Sequence, residues 1–107
     1  MTVVIIGGDD SLDAVMNELI EESQCYLFNV LCGGQSSEGA RTAASYKWAV
    51  RNGAPVRFLI EPDIEKLIDK IVQAADFLVA YNDGSQITKR IIMKFKTAGK
   101  HGKVINI

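Results

Sequence analysis

Two hydrophobic periodicities alternate along the whole chain, and that alternation restricts the fold more than any single motif does. Short apolar runs rich in β-branched and aromatic residues occur at Thr2 to Ile6, Tyr26 to Cys32, Val56 to Ile60 and Phe77 to Tyr81, with Lys103 to Ile107 as a terminal one. Between them, apolar residues return at helical spacing. Leu12, Val15, Met16, Leu19 and Ile20 mark a first helix, with Ser11 or Asp10 placed to cap it. A second helix is expected from about Glu38 to Asn52, ended by a left-handed Gly53 and by Pro55. Ile64, Leu67, Ile68, Ile71, Val72 and Ala75 form a third stripe with Pro62 in its first turn, and Ile87, Ile91, Phe95 and Ala98 form a fourth.

The order β-α-β-α-β-α-β-α-β predicts an α/β domain: a five-stranded parallel sheet with its four helices divided between the two faces. The absence of a helix after the last strand selects among strand orders. In order 2-1-3-4-5, right-handed crossovers would leave one face with a single helix. In order 3-2-1-4-5, helices one and two cover one face while three and four cover the other, so a three-layer Rossmann-like sheet of this order is expected. With 107 residues, the chain is long enough for one such core and too short for two, so residues 1–107 are read as a single domain.

Composition narrows the partners. Hydrophobic residues make up 48% and charged residues 23%, a globular balance, and the net charge of -1 excludes a generally basic, nucleic-acid-coating protein. The charge is nonetheless uneven. Seven acids and no Lys or Arg fall in Met1 to Ala40, whereas six bases and no acid fall in Ser85 to Ile107. The opening MTVVIIGG lacks the basic region and the length of a signal or membrane-spanning segment, so a cytoplasmic protein with no membrane partner is expected. Cys25 and Cys32 have neither CxxC spacing nor a Cys/His set around them and read as buried or half-buried thiols.

Ligands of open α/β sheets bind beyond the carboxyl ends of the strands, where the strand order reverses. Here that point lies between strands one and four. Their exit loops are GGDDS (Gly7 to Ser11) and NDGSQ (Asn82 to Gln86), and GGQSSEG (Gly33 to Gly39) lies beside them. Gly7, Gly8, Gly33, Gly34, Gly39 and Gly84 permit close backbone approach, Ser36, Ser37 and Ser85 supply hydroxyls, and Arg41 lies one turn into helix two. Asp9, Asp10, Glu38 and Asp83 oppose a phosphate in the same place unless a cation intervenes, and Asp9 with Asp10 and Asp83 is the candidate set for Mg²⁺. The ordinary alternative is that these acids are helix caps, each favourable by about 0.3 to 1 kcal/mol. GGDDSL is not GxGxxG, no acid after strand two is placed for a ribose, and no P-loop Lys is present. A response-regulator arrangement fails as well, because Glu61-Pro62 stand where its acceptor Asp belongs and no Lys follows strand five.

VVIIGGDDSLD, LCGGQSSEGARTAASYKWAVRNGAPV and AADFLVAYNDGSQITKRIIMKFKTAGKHGKVINI together span nearly the whole chain. In these segments the protein resembles the SLOG superfamily of Rossmann-like domains, particularly its small YspA/YpsA-related branch. Ala75-Asp76, Leu78-Val79, Asp83-Gly84, Ser85 and Thr88 match the pattern "aD-lvaf-dg-S-GT" of that branch, which adds Thr88 to the candidate ligand contacts. Ile87 replaces the Gly before that Thr, and Arg41 replaces the acid of the GGA-x-GAD turn that Gly33-Gly34 and Gly39-Ala40 echo. The PGGxGTxxE motif of LOG-type nucleoside-phosphate hydrolases, with its catalytic Glu, is absent. The resemblance therefore implies a binding or sensor domain for a nucleotide or nucleotide-derived ligand, without a permanently bound cofactor and without carry-over of the hydrolase activity.

Two other functions compete. An N-glycosidase-like or phosphate-cleaving enzyme would need Glu38 or Asp83 as acid or base. An interaction protein would present the basic last helix to an acidic partner or nucleic acid, for which a solvated helix face is the commoner explanation. His101 reads as a turn residue. Tyr46 and Trp48, about 200° apart on a helix, cannot both face the sheet, which leaves one for ordinary partial burial or for exposure as a homodimer contact or a base-stacking surface.

Overall fold

Unbroken β-branched and aromatic runs become strands, the three central ones buried on both faces, and each amphipathic stretch becomes a helix laid across them. The computed structural model describes residues 1–23 and 28–107. Its elements are β1 (Thr2–Ile6), α1 (Leu12–Ser23), β2 (Asn29–Gly34), α2 (Ser37–Thr42), α3 (Ala44–Asn52), β3 (Val56–Ile60), α4 (Ile64–Ala74), β4 (Phe77–Asn82), α5 (Gln86–Thr97) and β5 (His101–Asn106). All strand pairs are parallel and the order is β3-β2-β1-β4-β5, as the distribution of helices predicts. Val3, Ile5, Val30, Cys32, Val79 and Tyr81 meet Met16 and Leu19 of α1 and Trp48 and Ala49 of α3 on one face. Val4, Leu31, Leu78 and Ala80 meet Ile68 and Ile71 of α4 and Ile91 and Phe95 of α5 on the other.

The fold has five helices rather than four, because the stretch expected as one helix from Glu38 to Asn52 is broken at Ala43. Ala43 is extended (φ -67°, ψ 150°) and is at once the first residue after α2 and the last before α3. The cause lies in packing. Ala40 and Ala49 are both fully buried, yet on one continuous helix they would lie about 180° apart. The break lets α2 turn Ala40 onto Gly34 while α3 turns Trp48 and Ala49 onto the sheet.

Other boundaries move for local reasons. The expected start of strand two at Tyr26, and Cys25, lie outside the described residues; β2 begins at Asn29 and continues through Gly33 and Gly34, which pair with Leu59 and Ile60. Pro62 stands before α4 rather than in its first turn, because Asp63 caps the helix by accepting from the Lys66 amide at 3.0 Å. At the other end of α4 the Lys100 ammonium donates to the carbonyls of Val72 (2.5 Å) and Ala75 (2.8 Å), placing a cation on the negative end of the helix. The buried stripe of α5 is Thr88, Ile91 and Phe95, so Ile87 and Ala98 face outward. His101 is the first residue of β5, paired with Phe77, and not a turn residue.

Candidate functional site

The three predicted loops emerge at the carboxyl ends of β1, β2 and β4, and the strand order reverses between β1 and β4. At the β1 exit Gly7 (φ 74°) and Gly8 (φ 144°) carry the chain into a turn that Asp9 closes. The Asp9 carboxylate accepts from the Ser11 amide at 2.7 Å and from the Ser11 hydroxyl at 2.5 Å, and its main-chain carbonyl accepts from Leu12. The start of α1 is therefore organised by Asp9 rather than by Ser11 or Asp10. The Ser11 hydroxyl also meets the Tyr81 hydroxyl at 2.8 Å, which ties this loop to β4. Hydrogen bonding from Ser11 holds the Asp9 carboxyl below its ordinary range.

The β4 exit is built the same way. Asn82 accepts from the Gly84 amide, Asp83 accepts from the Ser85 amide at 2.9 Å, and the Ser85 hydroxyl oxygen accepts from the Thr88 amide at 3.3 Å. The Ser85 hydroxyl donates to Thr88 Oγ1 at 2.9 Å, and Thr88 is buried. Asp83 is held below the ordinary carboxylate range by the Ser85 amide and hydroxyl, so it suits an ionised turn acceptor rather than a proton donor. At the β2 exit the Ser36 hydroxyl oxygen accepts from the Gly39 amide, and Ser37 and Glu38 open α2 on the exposed surface.

Most glycines of the expected cradle serve the protein's own packing. A Cβ on Gly8 would stand 2.7 Å from the Ala44 Cβ, one on Gly33 would stand 2.9 Å from the Ile71 Cδ1, and one on Gly34 would stand 3.2 Å from the Ala40 amide nitrogen. Gly84 is different: it has φ 88° and open space around it. Arg41 lies over the Phe58 ring, 5.6 Å from its centroid, which places its charge at the β3 edge of the sheet. Among the described residues no three His, Cys, Asp or Glu side chains gather into a cluster fit for a metal, so Asp9, Asp10 and Asp83 do not assemble into the expected Mg²⁺ set.

The break at Ala43 brings into the site two residues that sequence reasoning missed. A cleft of about 190 Å³ between the β1 exit loop and α3 is lined by Asp9, Asp10, Leu12, Asp13, Ala44, Lys47 and Arg51. Arg51 pairs with Asp13 at 2.7 Å and Asp9 is taken up by Ser11, which leaves the Lys47 ammonium and the Asp10 carboxylate without ion-pair partners among the described residues. The spacing of Lys47 and Arg51 one helical turn apart was the available signal. Two of the four bases of the last helix, Arg90 and Lys94, are neutralised within the fold. Arg90 pairs with Glu65 and Lys94 with Asp69 of α4, and Lys103 of β5 joins the basic segment to the acidic one through Glu18 and Glu22.

No helix among the described residues is long and apolar enough to cross a membrane. Comparison with models of known protein families and with characterised proteins finds no match to this chain.

Proposed function

We propose that the protein is a non-catalytic binding domain for a nucleotide or nucleotide-derived ligand, taken up at the cleft between the β1 exit loop and α3. The observation that carries this reading is the cleft beside the strand-order reversal, where Lys47 and Asp10 have no ion-pair partner among the described residues. An ammonium there suits a phosphoryl group, and a neighbouring carboxylate suits ribose hydroxyls or a base N–H. At about 190 Å³ the cleft is smaller than the usual whole-ligand pocket of about 300 to 1,000 Å³. One phosphoryl or ribose unit fills it, and the remainder of the ligand lies along the open edge toward Gly84 and Ser85. The resemblance to SLOG domains supports the ligand class. The turn-locked Asp83 and the absent PGGxGTxxE motif support binding without hydrolysis.

The test is a thermal-shift and calorimetric screen against nucleoside phosphates, ADP-ribose and cyclic dinucleotides at millimolar concentration. Binding by at least one class is expected. Lys47→Ala should then weaken it about tenfold, in keeping with a hydrogen bond to a charged group. No shift with any member of the panel would refute the reading, as would binding indifferent to both Lys47→Ala and Asp10→Asn.

A further inference from the structure

The strongest unassigned feature lies at the sheet edge away from that cleft. β3 pairs with β2 alone among the described residues, so its other side is a free strand edge. The Val30 amide donates to Pro55 and the Glu61 amide donates to Gly34. In a parallel ladder this phase turns the main-chain groups of Arg57 and Leu59 toward β2, and leaves the N–H and C=O of Val56, Phe58 and Ile60 directed outward. On the helix α1/α3 face of the same strand, Phe58 and Ile60 are each 41% exposed, and Phe58 is backed by Tyr46 (ring centroids 5.5 Å apart) and by Arg41. On the α4 face Arg57 has no ion-pair partner among the described residues, and it lines an open hollow with Leu59, Lys70 and Gln73. An unprotected edge of this composition is one that proteins ordinarily blunt or use.

We infer that a second copy of this chain covers the edge, β3 pairing antiparallel with β3 of its partner about a two-fold axis at Leu59 to make one continuous ten-stranded sheet. Only a two-fold axis perpendicular to the sheet relates antiparallel edge strands, and it keeps like faces together. In the register centred on Leu59, Phe58 stands opposite Ile60 of the second copy and exchanges both main-chain hydrogen bonds with it. The two exposed apolar side chains of each edge thereby cover each other. On the opposite face Arg57 stands across from Glu61 of the second copy. Glu61 is ionised, being held below its ordinary pKa by Lys70 at 2.8 Å and by the Asp63 amide. Both of its oxygens already accept one hydrogen bond and its side chain is 16% exposed, but each oxygen keeps a second acceptor position for the guanidinium of Arg57, and the two-fold axis makes the same pair twice. Strand and charge pattern are therefore self-complementary in one register. A slip by one residue opposes Arg57 to Ile60 or Pro62 and loses the pairing. An edge of five residues falls in the small interface class, below about 1,200 Å² in total, so the dimer is concentration-dependent. It is independent of the ligand reading above.

Sedimentation velocity over a concentration series tests it with the intact chain. A monomer–dimer equilibrium that stops at the dimer is expected. Arg57→Glu, an exposed change that leaves the monomer folded by circular dichroism, should weaken association at least tenfold by opposing two acids, and Arg57→Glu with Glu61→Arg should restore it. Position is read separately: with Cys25 and Cys32 replaced by alanine, Leu59→Cys should cross-link into a disulfide dimer under mild oxidation, and Lys89→Cys should not. The inference is overturned by a chain that stays monomeric throughout, by open-ended growth beyond the dimer, or by a dimer insensitive to Arg57→Glu that does not cross-link at position 59.

Discussion

Gly8 and Asp9 are neighbours with opposite kinds of constraint, one steric and one electrostatic. Gly8 combines φ 144° with an approach that would bring a Cβ to 2.7 Å from the Ala44 Cβ. Gly8→Ala should therefore cost about 2 to 4 kcal/mol in urea unfolding, from backbone strain and overpacking together. Gly84→Ala has only the strain at φ 88° and should cost about 1 to 2 kcal/mol. Adding Ala44→Gly to Gly8→Ala should return the overpacking part alone, and a full recovery would show that the backbone angle carries no cost. Asp9 and Asp83 make a pH prediction. Both have folded pKa values depressed below the ordinary 3.8 by hydrogen bonds from Ser11 and Ser85. Their stabilisation is therefore complete above that value and is lost as pH falls from it through the lower folded values. The Asp9→Asn, Asp83→Asn double variant should show a flatter stability profile in that acid range and an unchanged slope near neutrality.

At the scale of elements, the break between α2 and α3 sets what sits in the cleft, and it is held without a side-chain cap. Ala43 has the extended backbone of an N-cap but no side-chain acceptor for the first amides of α3. Ala43→Ser should supply one and raise stability by about 0.5 to 1 kcal/mol, measured by the urea midpoint at constant slope. A loss of stability would mean that the break depends on the methyl group's packing. The same break marks the limit of what the sequence made legible. Ala43, Ala44 and Ser45 carry no Pro or Gly stop signal, and alanine favours helix, so local propensity argues for continuity. The break is decided by Ala40 and Ala49, which both need burial from opposite sides of one helical wheel, a tertiary demand that no local pattern announces. The one-turn spacing of Lys47 and Arg51 puts them on one helix face but does not assign that face to the site, because only the redirected α3 brings them to the β1 exit. Asp63 was the opposite case, a cap readable from residue type that the more familiar Pro62 rule obscured.

For the molecule as a whole, topology was legible because it is a counting problem: four helical stretches must cover two faces, and one strand order shares the cover evenly. The end of the sheet that holds the loops followed from that order. The role of each glycine did not, because whether Gly33 meets a ligand or the Ile71 side chain depends on where α4 settles over β2. The sheet shared by two clusters also decides how the protein unfolds. Each central strand sends alternate residues into both clusters, Val3 and Ile5 to one face and Val4 to the other, so neither layer of helices can leave without exposing the other's floor. Phe95 lies in the α4/α5 layer, whereas Trp48, the one tryptophan, lies in the layer across the sheet. Phe95→Ala should cost about 3 to 5 kcal/mol, a large share of the stability of about 5 to 15 kcal/mol usual for a domain. Because the sheet couples the layers, Trp48 fluorescence should report the same lowered midpoint as far-ultraviolet circular dichroism, although no atom near the indole has changed. Separate midpoints would mean that the α1/α3 layer holds to the sheet after α4 and α5 have released it, so the shared strands would be joining two units that unfold apart.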